Sequence, residues 1–195
     1  MQKRILLFSS VALLTCALLA YAATYKDAPP TNVPDYKQTD SRWANIIYSS
    51  HGDKSQTIKR NGCGICAAAN VVAYLCDSDI TPVEMAKLSI NLGTCSDEGG
   101  TYTRFYMLLP YYYPLTVVQT KSLDEATECI DGGGLVIMSS DRHARVIYAH
   151  AGVDYWLHDS GWGDDLLSQI MGHITREKLL TKDANYYCFK RGDTN

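Results

Sequence analysis

A run of three glycines, Gly132-Gly133-Gly134, divides the chain into two parts with different hydrophobic patterns. Before the glycines, the pattern predicts helices over 65–76, 81–92, 101–109 and 122–131, with one short strand over 116–120. After them, short apolar runs predict strands over 135–139, 143–149, 155–159 and 186–190. Helices followed by an antiparallel sheet indicate an α+β fold rather than the alternating strands and helices of a parallel sheet.

The first 22 residues have the pattern of a secretory signal peptide. Lys3 and Arg4 precede an apolar run over 5–20, and Ala20 and Ala22 are small residues at the positions that a signal peptidase reads. The apolar run has about 16 residues, which is short for a membrane span of about 20. We therefore expect cleavage after Ala22, no stable membrane insertion afterwards, and a secreted, extracellular or cell-envelope protein. An uncleaved membrane anchor stays open as the alternative.

The remaining residues, 23–195, are expected to form a single domain with its core at about 33–180. Hydrophobic residues make up 46% of the chain and charged residues 20%, which is typical of a globular domain and excludes a disordered one. The 18 Lys and Arg against 21 Asp and Glu give a net charge of −3, and no basic run is present. Nucleic acid is therefore not an expected partner.

Six cysteines follow the signal peptide, and in an exported protein cysteines are expected to form disulfides. Cys66 and Cys76 lie ten residues apart on one predicted helix, about 15 Å along its axis, so they cannot be bridged. The pairing of the others stays open. Cys63 and Cys66 have no second Cys-x-x-Cys or His pair to complete a zinc site, and no metal or organic cofactor is predicted.

Cys63 lies between Gly62 and Gly64 where a helix is predicted to begin. The positive end of a helix favours thiolate over thiol, and the backbone N–H groups of such a turn can stabilise an oxyanion. Cys63 is therefore a candidate nucleophile. The alternative is a small buried cysteine or one half of a disulfide.

A thiolate nucleophile needs an imidazole, and the predicted hairpin selects His143. With the turn near 150–154 and centred at Ala151, His143 lies opposite Asp159, so the two side chains share one face of the sheet. The carboxylate would fix the tautomer of the imidazole and support its charged form. His158 should point to the other face, His150 should fall in the turn, and His51 and His173 should lie at the surface.

Gln38 is a weaker candidate, for the oxyanion hole. It lies in the polar segment Tyr36-Lys37-Gln38-Thr39-Asp40-Ser41-Arg42-Trp43, upstream of Cys63. A glutamine amide can donate a hydrogen bond to a developing oxyanion without changing its protonation.

The order of these residues resembles the papain-like cysteine peptidases, and more closely the secreted relatives of the bacteriocin-processing (double-glycine) peptidase domains. The resemblance rests on four stretches over about 33–180: Tyr36-x-Gln38-x-Asp40-x-x-Trp43, Gly62-Cys63-Gly64 with its Ala-rich helix, Ile80-Thr81-Pro82, and the His143 strand leading to Tyr155-x-x-x-Asp159-Ser160-Gly161. It implies a papain-like fold in which Cys63 is the nucleophile and His143 the acid and base. Asp159 would orient His143, and Gln38 would help form the oxyanion hole.

Three positions depart from the pattern of that group. Ile65 stands where the group has Pro, Arg142 where it has Gly, and Ser160 where it has Pro. The sequence thus predicts an exported cysteine peptidase that acts on a peptide or protein substrate. Two alternatives stay open: a thiol amidase or acyltransferase with a non-peptide substrate, and a catalytically idle papain-like domain that binds peptides or cell-surface material.

Overall fold

The computed structural model describes residues 32–140, 142–161, 173–180 and 183–192. The predicted signal peptide, residues 1–22, lies outside the described residues. The helices are α1 (Ile58–Asn61), α2 (Cys63–Leu75), α3 (Pro82–Asn91), α4 (Arg104–Leu108), α5 (Leu123–Asp131) and α6 (Arg176–Leu179), with a 3₁₀ turn at Leu109–Tyr111. The strands are β1 (Leu115–Thr120), β2 (Leu135–Ser140), β3 (His143–Ala151), β4 (Asp154–Asp159), β5 (His173–Thr175) and β6 (Asn185–Arg191).

The predicted helices and strands are present, with shifted ends. The helix expected over 101–109 begins at Arg104 and continues into the 3₁₀ turn. The short elements α1, β5 and α6 were not predicted, because none has enough residues to show a hydrophobic period. None of the helices within the described ranges is long and apolar enough to cross a membrane.

Helix α2 lies in the core, and most of its thirteen residues are buried. A helix that is apolar nearly all round must be covered on several sides. Helix α3 packs beside α2, and strands β2 and β3 contact it from the sheet. Helix α3 begins at a capping box in which Thr81 and Glu84 satisfy each other's backbone N–H groups, with Pro82 in the first turn. Its start is therefore encoded locally.

The strands form one antiparallel sheet in the order β1-β6-β2-β3-β4-β5. Alternate residues of each strand point to opposite faces, so the sheet borders two apolar clusters. The cluster on the α2 face includes Leu135, Ile137, Val146 and Phe189 from the sheet. The cluster on the α5 face includes Val136, Met138, Ile147, Leu157 and Tyr186. The sheet is thus covered by helices on both faces, which confirms the predicted α+β class.

The segment before α1 joins α2 to the end of β4. The backbone N–H of Tyr36 donates to Asn70 Oδ1 on α2 at 2.9 Å. Two residues further on, the backbone N–H of Gln38 donates to the carbonyl of Ser160 at 3.0 Å. These contacts hold the segment of Gln38 between α2 and the end of β4.

Candidate active site

Cys63 is the first residue of α2, as the sequence predicts. Its two glycine neighbours are needed for space rather than for backbone conformation, since Gly62 has an ordinary φ of −83°. A Cβ on Gly64 would lie 2.7 Å from Thr101 and 3.0 Å from the hydroxyl of Tyr106, and a Cβ on Gly62 would overlap Ile58. The glycines therefore allow the start of α2 to pack closely against its neighbours.

The surroundings of Cys63 favour the thiolate. Burial raises the pKa of the thiol, but a hydrogen bond with His143, the charge of that imidazole and the backbone N–H groups of Ala144 and Gly64 oppose it. The result is a pKa for Cys63 below its ordinary value. In contrast, burial raises the pKa of Cys66, one turn further along α2, far above its usual range. Of these two thiols, only Cys63 is activated.

His143, the first residue of β3, lies between Cys63 and Asp159. Its Nε2 donates to Asp159 Oδ1 at 2.6 Å, which leaves Nδ1 as the ring nitrogen that can face Cys63. The hydrogen bond to Asp159, followed by that to Cys63, raises the pKa of His143 to about 9. His143 is therefore charged at neutral pH and can form an ion pair with the thiolate.

Asp159 is almost completely buried, with 1% of its surface exposed. Burial raises the pKa of this carboxyl, but the hydrogen bond from His143 and the neighbouring positive charges outweigh burial and lower it. Asp159 Oδ1 also accepts from the backbone N–H of Gly161 at 2.9 Å, and Oδ2 accepts from Arg145 Nε at 2.7 Å. The carboxylate is thus held in position from three sides.

The predicted register of the β3–β4 hairpin is wrong. The turn joins Ala151 to Asp154, and the residue opposite Asp159 is Arg145 rather than His143. His143 reaches Asp159 diagonally from two residues before Arg145 on the same strand face.

A β-bulge keeps these two side chains on one face. Ile147 pairs with Leu157 and Ala149 pairs with Trp156, so Tyr148 is an extra residue in β3. Without that extra residue, the pairing at the turn would place Val146 opposite Asp159 and turn His143 to the other face. Because of the bulge, His143 and Asp159 lie on the same face of the sheet, as predicted, although the predicted register is wrong.

Gln38 lines the same cleft as Cys63, and its side-chain amide is already hydrogen-bonded to other residues. Its Nε2 donates to the carbonyl of Lys59 at 2.6 Å, and its Oε1 accepts from the hydroxyl of Ser160 at 3.2 Å. An amide carries two N–H donors, so one remains for an oxyanion. Lys37 Nζ also donates to the carbonyl of Asp159 at 3.0 Å, which ties the segment of Gln38 to the end of β4.

These residues open onto one cavity of about 510 Å³, which is lined by Cys63, His143 and Gln38 together with residues of the loop over 96–103. Gly99 and Gly100 in that loop have φ values of +87° and +96°, which favour glycine. This is a cleft of the size that holds a few residues of a ligand.

Two arginines of the cavity were not predicted as functional residues. Arg60 and Arg142 line it, and Glu98 is an acidic side chain on the same wall. Arg142 has a φ of +61°, in the left-handed region, and it connects Ser140 to His143 through the tight turn between β2 and β3. Glycine adopts this conformation more readily than arginine does.

The other described histidines lie elsewhere. His158 faces away from Asp159, with Nδ1 3.4 Å from Asp35 Oδ2, as predicted for the opposite face. His150 lies within β3 rather than in the turn, and its Nε2 is 2.6 Å from Asp131 Oδ1. His51 contacts Ser50, and the side chain of His173 lies outside the described residues. In the described part of the chain, no three His, Cys, Asp or Glu side chains are grouped as metal ligands.

No protein-family model matches the chain, and no curated protein matches it. A search of solved structures finds a similar fold in the crystal structure of a Bacillus anthracis protein assigned as a C39-like peptidase. The similarity has a TM-score of 0.53 and covers 85% of this chain and 98% of that chain, at 16% sequence identity. The predicted papain-like α+β fold is thereby confirmed. The likeness to secreted relatives of the bacteriocin-processing domains stays a prediction.

Proposed function

We propose that this chain is an exported cysteine peptidase that hydrolyses peptide bonds with Cys63 as the nucleophile. The observation that carries the proposal is the arrangement of Cys63 and His143 at the wall of one cleft, with the buried Asp159 hydrogen-bonded to His143. A lowered pKa at the cysteine and a raised pKa at the histidine are what a thiolate–imidazolium pair requires. The C39-like fold of the solved structure supports a peptidase rather than an unrelated thiol enzyme.

The proposed reaction begins when the Cys63 thiolate attacks a peptide carbonyl carbon. The carbonyl oxygen becomes an oxyanion, which the free N–H of Gln38 can stabilise from the cleft wall. The His143 imidazolium then gives its proton to the leaving amine, and a thioester remains on Cys63. Neutral His143 next takes a proton from water, the water oxygen attacks the thioester, and the acid product leaves.

In this scheme Asp159 orients His143, and Arg145 holds Asp159 in position. Asp159 holds the Nε2–H tautomer, so that Nδ1 faces the sulfur, and its charge supports the imidazolium. Arg145 holds the second carboxylate oxygen and prevents Asp159 from turning away from His143. Arg145 is therefore a positioning residue rather than a catalytic one.

Export is the second part of the proposal. If residues 1–22 are a signal peptide, the N-terminal residue of the secreted form is expected to be Ala23. Intact-mass and N-terminal peptide analysis of the secreted protein checks this. An intact Met1 in a membrane fraction would instead show an uncleaved anchor.

Labelling of the native protein with an epoxide thiol inhibitor tests the activated cysteine. We expect a single adduct on Cys63 at pH 7, because its thiolate is stabilised there, and the reaction should persist well below pH 9. In His143→Ala only the backbone N–H groups of Ala144 and Gly64 still oppose the effect of burial on the Cys63 thiol, so labelling at pH 7 should slow about tenfold or more and recover at higher pH.

The same experiment separates an enzyme from an idle binding domain. Cys63→Ala should remove the adduct, and Cys76→Ala should keep it. Equal labelling of wild type and His143→Ala at every pH would show that the two side chains do not form an ion pair, and the proposal would fail.

A further inference from the structure

A second pair of thiols lies on the opposite face of the sheet from α2. Cys129 is buried on α5, and Cys188 is half-buried on β6, the strand against which α5 packs. The thiol of Cys129 donates to the carbonyl of Phe189, the residue next to Cys188, at 3.6 Å. Both cysteines line a surface cavity of about 370 Å³ that shares no lining residue with the cleft at Cys63.

We infer that Cys129 and Cys188 form a disulfide that links α5 to β6 in the exported protein. The two side chains already interact: a hydrogen bond from the Cys188 thiol lowers the pKa of Cys129, and the same bond raises the pKa of Cys188. Two neighbouring thiols that line one surface cavity, one of them with a lowered pKa, can form a disulfide by exchange with a disulfide-bearing molecule.

The other cysteines within the described residues do not compete for this pair. Cys66 and Cys95 are buried in the cluster on the α2 face, and Cys63 and Cys76 border the same cluster. The sheet separates that cluster from Cys129 and Cys188, because the latter two belong to the cluster on the α5 face. A cross-link between the two groups would have to pass through the sheet.

The chemistry needs an oxidant, which we identify as a disulfide-bearing molecule, such as an oxidised dithiol protein or glutathione disulfide. The Cys129 thiol loses its proton and the resulting thiolate attacks one sulfur of that disulfide, so that a thiolate leaves. The Cys188 thiol loses its proton and attacks the Cys129 sulfur of the mixed disulfide, so that the second thiolate leaves. Two electrons and two protons pass to the oxidant, which ends as two thiols.

The consequence is a covalent clamp between α5 and β6. The bond would close a loop of about 60 residues that contains β2, β3 and β4, and such a loop restricts the unfolded chain strongly. Cys63 would remain a free thiol, so the clamp and the proposed catalysis are compatible. The inference rests on the proposed export, but it does not depend on the peptidase activity.

Peptide mapping tests the bond directly. The wild-type protein, purified from the secreted fraction or refolded with glutathione disulfide, is denatured, alkylated with N-ethylmaleimide and cut with trypsin. We expect peptide 122–142, which contains Cys129, joined to peptide 183–190, which contains Cys188. Reduction before alkylation should separate the two peptides. Alkylation of both cysteines without reduction, or a bond from either one to another cysteine, would overturn the inference.

Thermal melting provides a second readout. Dithiothreitol should lower the Tm of the wild type by about 10 °C, as expected for a loop of this length in a domain of this size. The Cys129→Ala/Cys188→Ala variant should show no shift with dithiothreitol, whereas Cys76→Ala should show the full shift. An unchanged wild-type Tm on reduction would contradict the clamp. If the double variant does not fold, peptide mapping of the wild-type protein still shows whether the disulfide is present.

Discussion

Replacing Cys63 with alanine is expected to abolish peptide hydrolysis, with a loss of kcat of about 10⁴-fold or more. The sulfur is the only atom in the proposed site that bonds to the substrate, and neither His143 nor Gln38 can replace it. The variant should still fold, because Cys63 is a small residue at the rim of a cleft. Hydrolysis of an internally quenched peptide, measured beside circular dichroism of the same sample, checks both expectations.

Cys66→Ala is the matched control, since it removes a thiol from the same helix. Cys66 is fully buried and its pKa is raised, so it cannot act as a nucleophile. We expect kcat to stay within a few-fold of wild type, with some loss of stability from the cavity left in the core. Loss of activity in Cys66→Ala together with full activity in Cys63→Ala would show that Cys63 is not the nucleophile.

Replacing Asp159 with alanine is expected to lower kcat by about 10²–10⁴-fold while leaving measurable activity. Without the carboxylate, the tautomer of His143 is no longer fixed and its pKa falls, so the thiolate at Cys63 loses support. The positive side chain of Arg145 would also remain beside the imidazole without its partner. Steady-state kinetics over a pH series checks this, because the upper limit of activity near pH 9 should move down.

Asp154→Ala is the control for Asp159→Ala, since Asp154 lies at the tip of the same hairpin and away from the cleft. It should leave kcat and its pH profile unchanged. If Asp154→Ala is inactive and Asp159→Ala is fully active, the assignment of the third residue is wrong.

Arg145 makes a more specific test possible. In the structure both oxygens of Asp159 accept hydrogen bonds, one from His143 and one from Arg145. In Asp159→Asn one oxygen becomes an NH₂ group, which would face one of these two donors, so this variant should be poorly active. Adding Arg145→Gln supplies a side-chain oxygen that can accept from the asparagine amide. We expect the double variant to be more active than Asp159→Asn alone, and an equal or lower activity would show that Arg145 does not position this group.

The positions of Cys63 and His143 could be predicted because local signals encode them. A Gly-Cys-Gly turn before an Ala-rich run marks the start of α2, and two short apolar runs around a turn mark the β3–β4 hairpin. The register of that hairpin could not be predicted, because the bulge falls in Ile147-Tyr148-Ala149, where no glycine or other marker shows the extra residue.

The contacts that hold the site residues in position could not be predicted from the sequence either. Arg145 looks like an ordinary charged residue of a half-exposed strand, and only the pairing of β3 with β4 places it opposite Asp159. The link between Gln38 and Ser160 joins residues that are far apart in the chain, so no local pattern reports it. Contacts of this kind depend on the register and on packing, which are set by the whole fold.

Digestion of a peptide library in H₂¹⁸O, with the products read by mass spectrometry, tests the central claim most directly. Wild type is expected to produce new C-termini that carry ¹⁸O, because water resolves the thioester on Cys63, and Cys63→Ala should produce none. Products in which the acyl group is joined to an amine and carries no ¹⁸O would show a transferase instead. An intact library after incubation with folded wild-type protein whose Cys63 is a free thiol would contradict the account.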